Sequence, residues 1–219
     1  MSFDYSQPCH YWNNRFQEQG REYVAHRQLR NFDKQKEIIS EAVKPFLVKK
    51  YAQALDFGSG VGRFQNVLWE CSEKVYALDY VAGALAELRK NWPQTKTSQY
   101  QILPLPLGDN MFDLVWTCTV LQHIVDHESF EATCKELIRV SKPGAHFMMI
   151  ENVSDDAPHV RPRYAQDYAD ALQLKLIHTE RLSIDHKDSH WLIFGELKCL
   201  QSIEHIGNAF AENVPMSRN

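Results

Sequence analysis

Three glycines within five residues constrain this chain more than any other feature. The stretch Leu55-Asp56-Phe57-Gly58-Ser59-Gly60-Val61-Gly62-Arg63-Phe64 follows an apolar run, Ala52 to Phe57. It precedes apolar positions at helical spacing, Phe64, Val67, Leu68 and Cys71. Strand, tight turn and helix in that order open a nucleotide-type α/β fold. Glycine permits positive φ and close backbone approach to a ligand, and the free N–H groups of the next helix favour an anionic group. A dinucleotide turn places its third glycine where Arg63 stands here, which points away from a nicotinamide oxidoreductase.

The alternation continues downstream. A strand over Val75–Leu78 ends in Asp79, followed by Tyr80. Such units place a carboxylate about 20 residues after the turn, where its two oxygens suit the vicinal hydroxyls of a ribose. A helix over 82–91 is stopped by Trp92-Pro93. A third strand is expected over 98–103 and a fourth over 112–117. Asp126 caps a helix with the apolar face Phe130, Cys134, Leu137 and Ile138. Lys142-Pro143-Gly144 turns into a fifth strand over 145–150, and a polar loop over 151–163 then faces the ligand end of the sheet. Residues 164–172 read as helix, and strands over 174–184 and 191–199 flank a polar turn. The fold class is therefore α/β: a Rossmann-like seven-stranded sheet with helices on both faces, five parallel-type strands alternating with helices, and a C-terminal antiparallel hairpin.

From 52 to 150 the landmarks Asp56-x-Gly58-x-Gly60-x-Gly62, Asp79, Leu105-Pro106 leading to Phe112-Asp113-Leu114-Val115, and Val120-Leu121-Gln122-His123-Ile124 resemble, in order and spacing, class I S-adenosylmethionine-dependent methyltransferases of the small-molecule, type 11/12-like kind. The resemblance implies S-adenosylmethionine as methyl donor and S-adenosylhomocysteine as product. It implies cofactor contacts from Asp56, Gly58, Ser59, Gly60, Gly62 and Arg63 on the turn, and from Asp79 and Tyr80 at the ribose. It adds Gln101, Ile102 and Leu103 near the adenine, and Thr117, Cys118 and Leu121 at the end of the fourth strand. Gln101 departs from the family's acidic residue, but an amide can both donate and accept on an adenine edge. Tyr11, Trp12 and Arg15, on a short N-terminal helix, either cover the sheet edge or form a lid over the cofactor.

His123 is the candidate catalytic residue, as general base for a hydroxyl acceptor or as the histidine that orders its loop. His159 and Tyr164 are weaker alternatives. Arg161 and Arg163 either meet an anionic substrate group or are simply solvated. His123 and His127 have the spacing of half a metal site without further ligands, so no metal is expected. Cys118 follows Thr117 rather than the proline of cytosine-C5 methyltransferases, and the Asn/Asp-Pro-Pro-aromatic motif of base amino-methylating enzymes is absent from 117–120.

A chain of 219 residues accommodates one substantial α/β core. The organisation read from it is a helical cap or lid (1–50), a methyltransferase core (51–200) and a tail (201–219) with a short helix near 203–210. Five cysteines without paired spacing suit reduced thiols and a cytoplasmic setting. A net charge of −4 gives no general attraction to nucleic acid or membranes. The expected function is methyl transfer to oxygen or nitrogen of a small molecule, by a monomer or homodimer. The alternatives are an RNA or protein methyltransferase, or a non-catalytic S-adenosylmethionine-binding module.

Overall fold

The computed structural model describes residues 8–19, 32–152, 158–184 and 187–198. Strands β1 (Ala54–Phe57), β2 (Val75–Asp79), β3 (Lys96–Gln99), β4 (Phe112–Cys118), β5 (Ser141–Asn152), β6 (Leu174–Ile184) and β7 (Lys187–Leu197) form one sheet in the order β3-β2-β1-β4-β5-β7-β6. The first five pair in parallel; β7 pairs antiparallel with both β5 and β6. The helices are α1 (Pro8–Gln19), α2 (Phe32–Val43), α3 (Gln65–Cys71), α4 (Ala82–Asn91), α5 (His127–Val140) and α6 (Ala165–Ala171).

Period-two alternation along the central strands builds two apolar layers. On β5, Phe147 and Met149 join the layer under α5 and α6, whereas Met148 and Ile150 join the layer under α2 and α3. Asp126 caps α5 as its sequence requires, accepting from Ser129 N at 2.8 Å. Because β1 lies between β2 and β4, the winding direction reverses there. The crevice beyond the carboxyl ends of β1 and β4 is thus the place where such sheets bind ligands.

Several boundaries differ from those expected. The third strand is Lys96–Gln99 rather than 98–103, because the chain leaves the sheet at Tyr100, whose ring packs on Tyr80 and Phe57 with centroids 4.3 and 5.4 Å apart. The amphipathic helix that Ile38, Ile39, Ala42, Val43 and Phe46 predict over 32–47 stops at Val43, and Pro45 falls in a following 3-10 turn, Lys44–Phe46. β5 begins at Ser141, with Lys142-Pro143-Gly144 inside an irregular register against β4. It also runs on through Glu151 and Asn152, which pair with Trp191 and His190 of β7 and are buried. Those two residues are therefore strand, not the start of a polar loop. β7 begins at Lys187, four residues earlier than the expected 191. The expected helix at 203–210 lies outside the described residues. Among the described residues no helix is long and apolar enough to cross a membrane.

Candidate active site

The glycine turn leaves β1 with Gly58, Gly60 and Gly62 at φ +72°, +53° and +85°. At Gly58 a side chain would also collide with Val120, so backbone conformation and close approach both require glycine. Gly58 N and Ser59 N donate to Leu78 O at 2.8 and 3.0 Å, fastening the turn to the end of β2.

Three carboxylates stand at the carboxyl ends of strands. Asp79 accepts from Gly60 N at 2.7 Å and from Val81 N at 2.8 Å, so it shapes the turn that it also faces. Burial pushes its pKa up to about 6, against the pull of those N–H donors. Asp56 accepts from Gln65 Nε2 at 2.7 Å; Gln65 Oε1 accepts from Thr95, and Thr95 from Trp69 Nε1. Burial raises Asp56 to about 7, partly offset by the Gln65 bond and reinforced by Asp79. Glu151, fully buried, accepts from Thr117 Oγ1 at 2.9 Å and from the backbone N–H groups of Val120, Leu121 and Gln122 at 3.2, 3.2 and 3.0 Å. Burial raises its pKa as well, with the four donors opposing.

A pocket opens over this end of the sheet. Its floor is Asp56, Gly58, Ser59, Gly60, Arg63 and Phe64; Asp79, Tyr80 and Tyr100 form one side. Trp116, Cys118, Thr119, Val120, His123 and Ile124 form the other, and Trp12 reaches in from α1. Gly62 lies under the turn, against Gln65 and Leu88. Thr117 and Leu121 are buried behind the wall, Thr117 on Glu151 and Leu121 in the core. Gln101, Ile102 and Leu103 follow β3 outside the lining, with Gln101 exposed and Ile102 81% exposed. On α1 it is Trp12 that lines the pocket. Tyr11 instead stacks on His159 with centroids 5.2 Å apart, and Arg15 donates to the Tyr11 hydroxyl at 3.1 Å.

His123 is held in one tautomer. Its Nδ1 lies 2.9 Å from the His159 carbonyl, which only accepts, so Nδ1 carries the proton. Its Nε2 is 3.4 Å from the Gln122 amide nitrogen. That amide is oriented by Asn152 N, which donates to Gln122 Oε1 at 2.5 Å. Trp12 meets the imidazole edge-on at 4.8 Å and His159 lies parallel to it at 5.5 Å. Burial and then Arg15 hold His159 below the usual histidine range.

Arg163 corrects the expectation of a solvated or anion-binding arginine. Its guanidinium donates to Leu121 O at 3.2 Å and Ile124 O at 2.8 Å, and sits 3.7 Å over the Phe130 ring. Arg161 contributes its backbone N–H to Gln122 O at 2.7 Å. Tyr164 is 71% exposed and caps α6, away from the pocket. His127 is exposed at the start of α5. Among the described residues no group of three or more His, Cys, Asp or Glu could hold a metal ion. Burial pushes the Cys118 thiol up to about 12, which removes thiolate character.

Glu151, Gln65, Tyr100 and Trp116 join the site although they are not among the site residues expected from sequence. For Glu151 a signal was present: an acid directly after an apolar strand, as at Asp79. The others have no comparable pattern.

With this geometry in view, the sequence profile of the methyltransferase-domain family matches residues 55–149. Residues 55–149 are a class I S-adenosylmethionine-dependent methyltransferase domain. A malonyl-[acyl-carrier protein] O-methyltransferase of Enterobacter lignolyticus is 30% identical over 113 residues, 52% of this chain and 44% of that protein. A probable S-adenosylmethionine-dependent methyltransferase of Mycolicibacterium smegmatis is 28% identical over 95 residues, 43% of this chain and 36% of that one. The chain spans less than half the length of these curated relatives. Among solved structures, a putative methyltransferase in complex with the Haloferax volcanii Trm112 activator superposes with TM-score 0.66 at 15% identity, over 90% of this chain and all of that one. Haemonchus contortus phosphoethanolamine N-methyltransferase 1, in complex with phosphoethanolamine and S-adenosylhomocysteine, gives 0.65 at 14% identity, over 93% of this chain and 52% of that one. These likenesses share the fold of the methyltransferase domain.

The residues present fit the methyl donor of this domain. The glycine cradle would be filled by any Cβ at Gly58, and Ser59 Oγ is buried with no hydrogen-bond partner among the described residues. Such a buried polar atom in a pocket floor suits a polar ligand.

Proposed function

We propose that this chain moves a methyl group from S-adenosylmethionine to an oxygen or nitrogen of a small-molecule acceptor by in-line displacement. One observation carries the reading: the glycine turn, Asp79 and His123 line a single pocket at the carboxyl ends of the strands. When bound, the cofactor supplies an electrophilic sulfonium methyl, which leaves the protein the tasks of positioning and desolvation.

In this account Asp79 keeps a second lone pair on each oxygen for the ribose hydroxyls, and Ser59 and Arg63 meet the amino-acid end. Tyr80 and Tyr100, which form one side of the pocket, flank the adenine. Trp12, with Tyr11 and Arg15 behind it, closes the entrance against water, which makes residues 1–50 a cap on a core of 51–200. For a hydroxyl acceptor, His123 Nε2 takes the proton; an amine arriving unprotonated needs only orientation. Relatives named for O-methylation of a malonyl carrier protein support an oxygen acceptor, and the net charge of −4 disfavours RNA.

The test is mass spectrometry of metabolite extracts incubated with the protein and methyl-labelled S-adenosylmethionine. Label in a low-molecular-weight product is expected. Label confined to RNA or to protein side chains, or no transfer at all, contradicts the reading.

A further inference from the structure

We propose that Glu151 and Arg163 are positioning residues that grip residues 120–124 from opposite sides and so present His123 to the acceptor in a single tautomer. The inference rests on the functional reading above only in giving His123 an acceptor to face.

The grip accounts for the backbone groups of the segment one by one. The N–H groups of Val120, Leu121 and Gln122 converge on the Glu151 carboxylate. The same carboxylate takes the Thr117 hydroxyl, tying the end of β4 to the loop and both to β5. On the other side the Arg163 guanidinium takes the carbonyls of Leu121 and Ile124, and Arg161 N–H takes that of Gln122. A buried carboxylate is the one side chain able to accept four donors at once, and a guanidinium fork is suited to two carbonyls.

The segment needs this support. Thr119, just before it, sits at φ +57°, which costs a β-branched residue free energy and persists only where neighbours over-determine it. The 3-10 turn Leu121–His123 has no side-chain cap of its own N-cap residue, so Glu151 supplies the acceptors at its start. Two further links carry the constraint to the imidazole. Asn152, next to Glu151, orients the Gln122 amide that faces Nε2. His159, on the strap leading to Arg163, supplies the carbonyl that fixes the proton on Nδ1.

The decisive variant is Glu151→Gln, which keeps shape but replaces one acceptor oxygen by an amide nitrogen that cannot accept. Two readouts need no acceptor molecule: nitrogen-15 NMR of the His123 imidazole, and hydrogen exchange of amides 120–122. Wild type is expected to show one Nδ1–H tautomer and protected amides. In Glu151→Gln the tautomers should mix, and protection should fall by a factor of about 10–100, as for loss of a hydrogen bond to a charged group. S-adenosylhomocysteine binding by calorimetry should persist. A folded variant with unchanged imidazole signal and protection overturns the proposal. Should Glu151→Gln not fold, Arg163→Lys decides it: the charge stays while the two-carbonyl fork goes, and an unaltered His123 signal overturns the proposal. Failure of wild type to bind S-adenosylhomocysteine would sink the functional reading instead, leaving the grip to stand on the NMR and exchange data.

Discussion

Asp79 holds the glycine turn through Gly60 N and faces the pocket with the same carboxylate. Asp79→Asn should weaken S-adenosylhomocysteine binding by about 1.5–3 kcal/mol, the scale of hydrogen bonds to a charged group. Calorimetry on the folded variant measures it. The pH dependence follows from the same burial. Only the ionised carboxylate accepts fully from hydroxyls, so affinity should fall as pH drops below about 6, where burial has raised Asp79. Ligand-free stability runs the other way. Folding raises Asp56 to about 7 and Asp79 to about 6, above the ordinary carboxylate range. The folded chain therefore keeps protons that the unfolded chain has released, and stability falls as pH rises from about 4 to 7. Asp56→Asn, which can still accept from Gln65, should raise the ligand-free melting temperature at pH 8 and leave it nearly unchanged at pH 4. An equal shift at both values would show that Asp56 is not paying a charge-burial cost.

At the scale of elements, the turn and α1 make separate predictions. Gly58→Ala puts a Cβ into Val120 at a positive φ, so it should lower stability by roughly 1–3 kcal/mol. A denaturant titration checks the value. Removing residues 1–31 should leave the sheet folded, since among the described residues α1 packs beside the pocket mouth, as at Trp12 against His123 and Phe16 against Gly83. Cofactor affinity should fall with the loss of Trp12; equal affinity would reduce α1 to packing. Elements with strong periodicity were legible from sequence: β1, β2 and α5 lie where expected, with ends shifted by no more than two residues in β1 and β2, because apolar spacing and the Asp126 cap are local signals. β3 was misplaced because Tyr100, which reads as strand, is recruited by Tyr80 and Phe57 across the sheet end. Glu151 and Asn152 read as loop because their burial comes from pairing with β7, a long-range event. Arg163 gave no signal, since its partners are backbone carbonyls 42 and 39 residues earlier.

For the molecule as a whole, fold and pocket meet at the reversal of winding between β1 and β4. There the acids Asp56 and Asp79, the cradle Gly58–Gly60 and the wall from Cys118 to Ile124 come together from segments far apart in sequence. The cradle and Asp79 were legible because glycine spacing and an acid after a strand are patterns of type and distance. The aromatic wall of Trp116 and Tyr100 was not, because apolar residues at strand ends look like any core. A pocket built for S-adenosylmethionine should also take its demethylated product and should exclude a dinucleotide. Titration calorimetry of the full chain at pH 8 with S-adenosylhomocysteine and with NAD measures both. Saturable one-site binding of S-adenosylhomocysteine, weakened in Asp79→Asn, and no binding of NAD is the expected result; saturable NAD binding with no response to S-adenosylhomocysteine would contradict it.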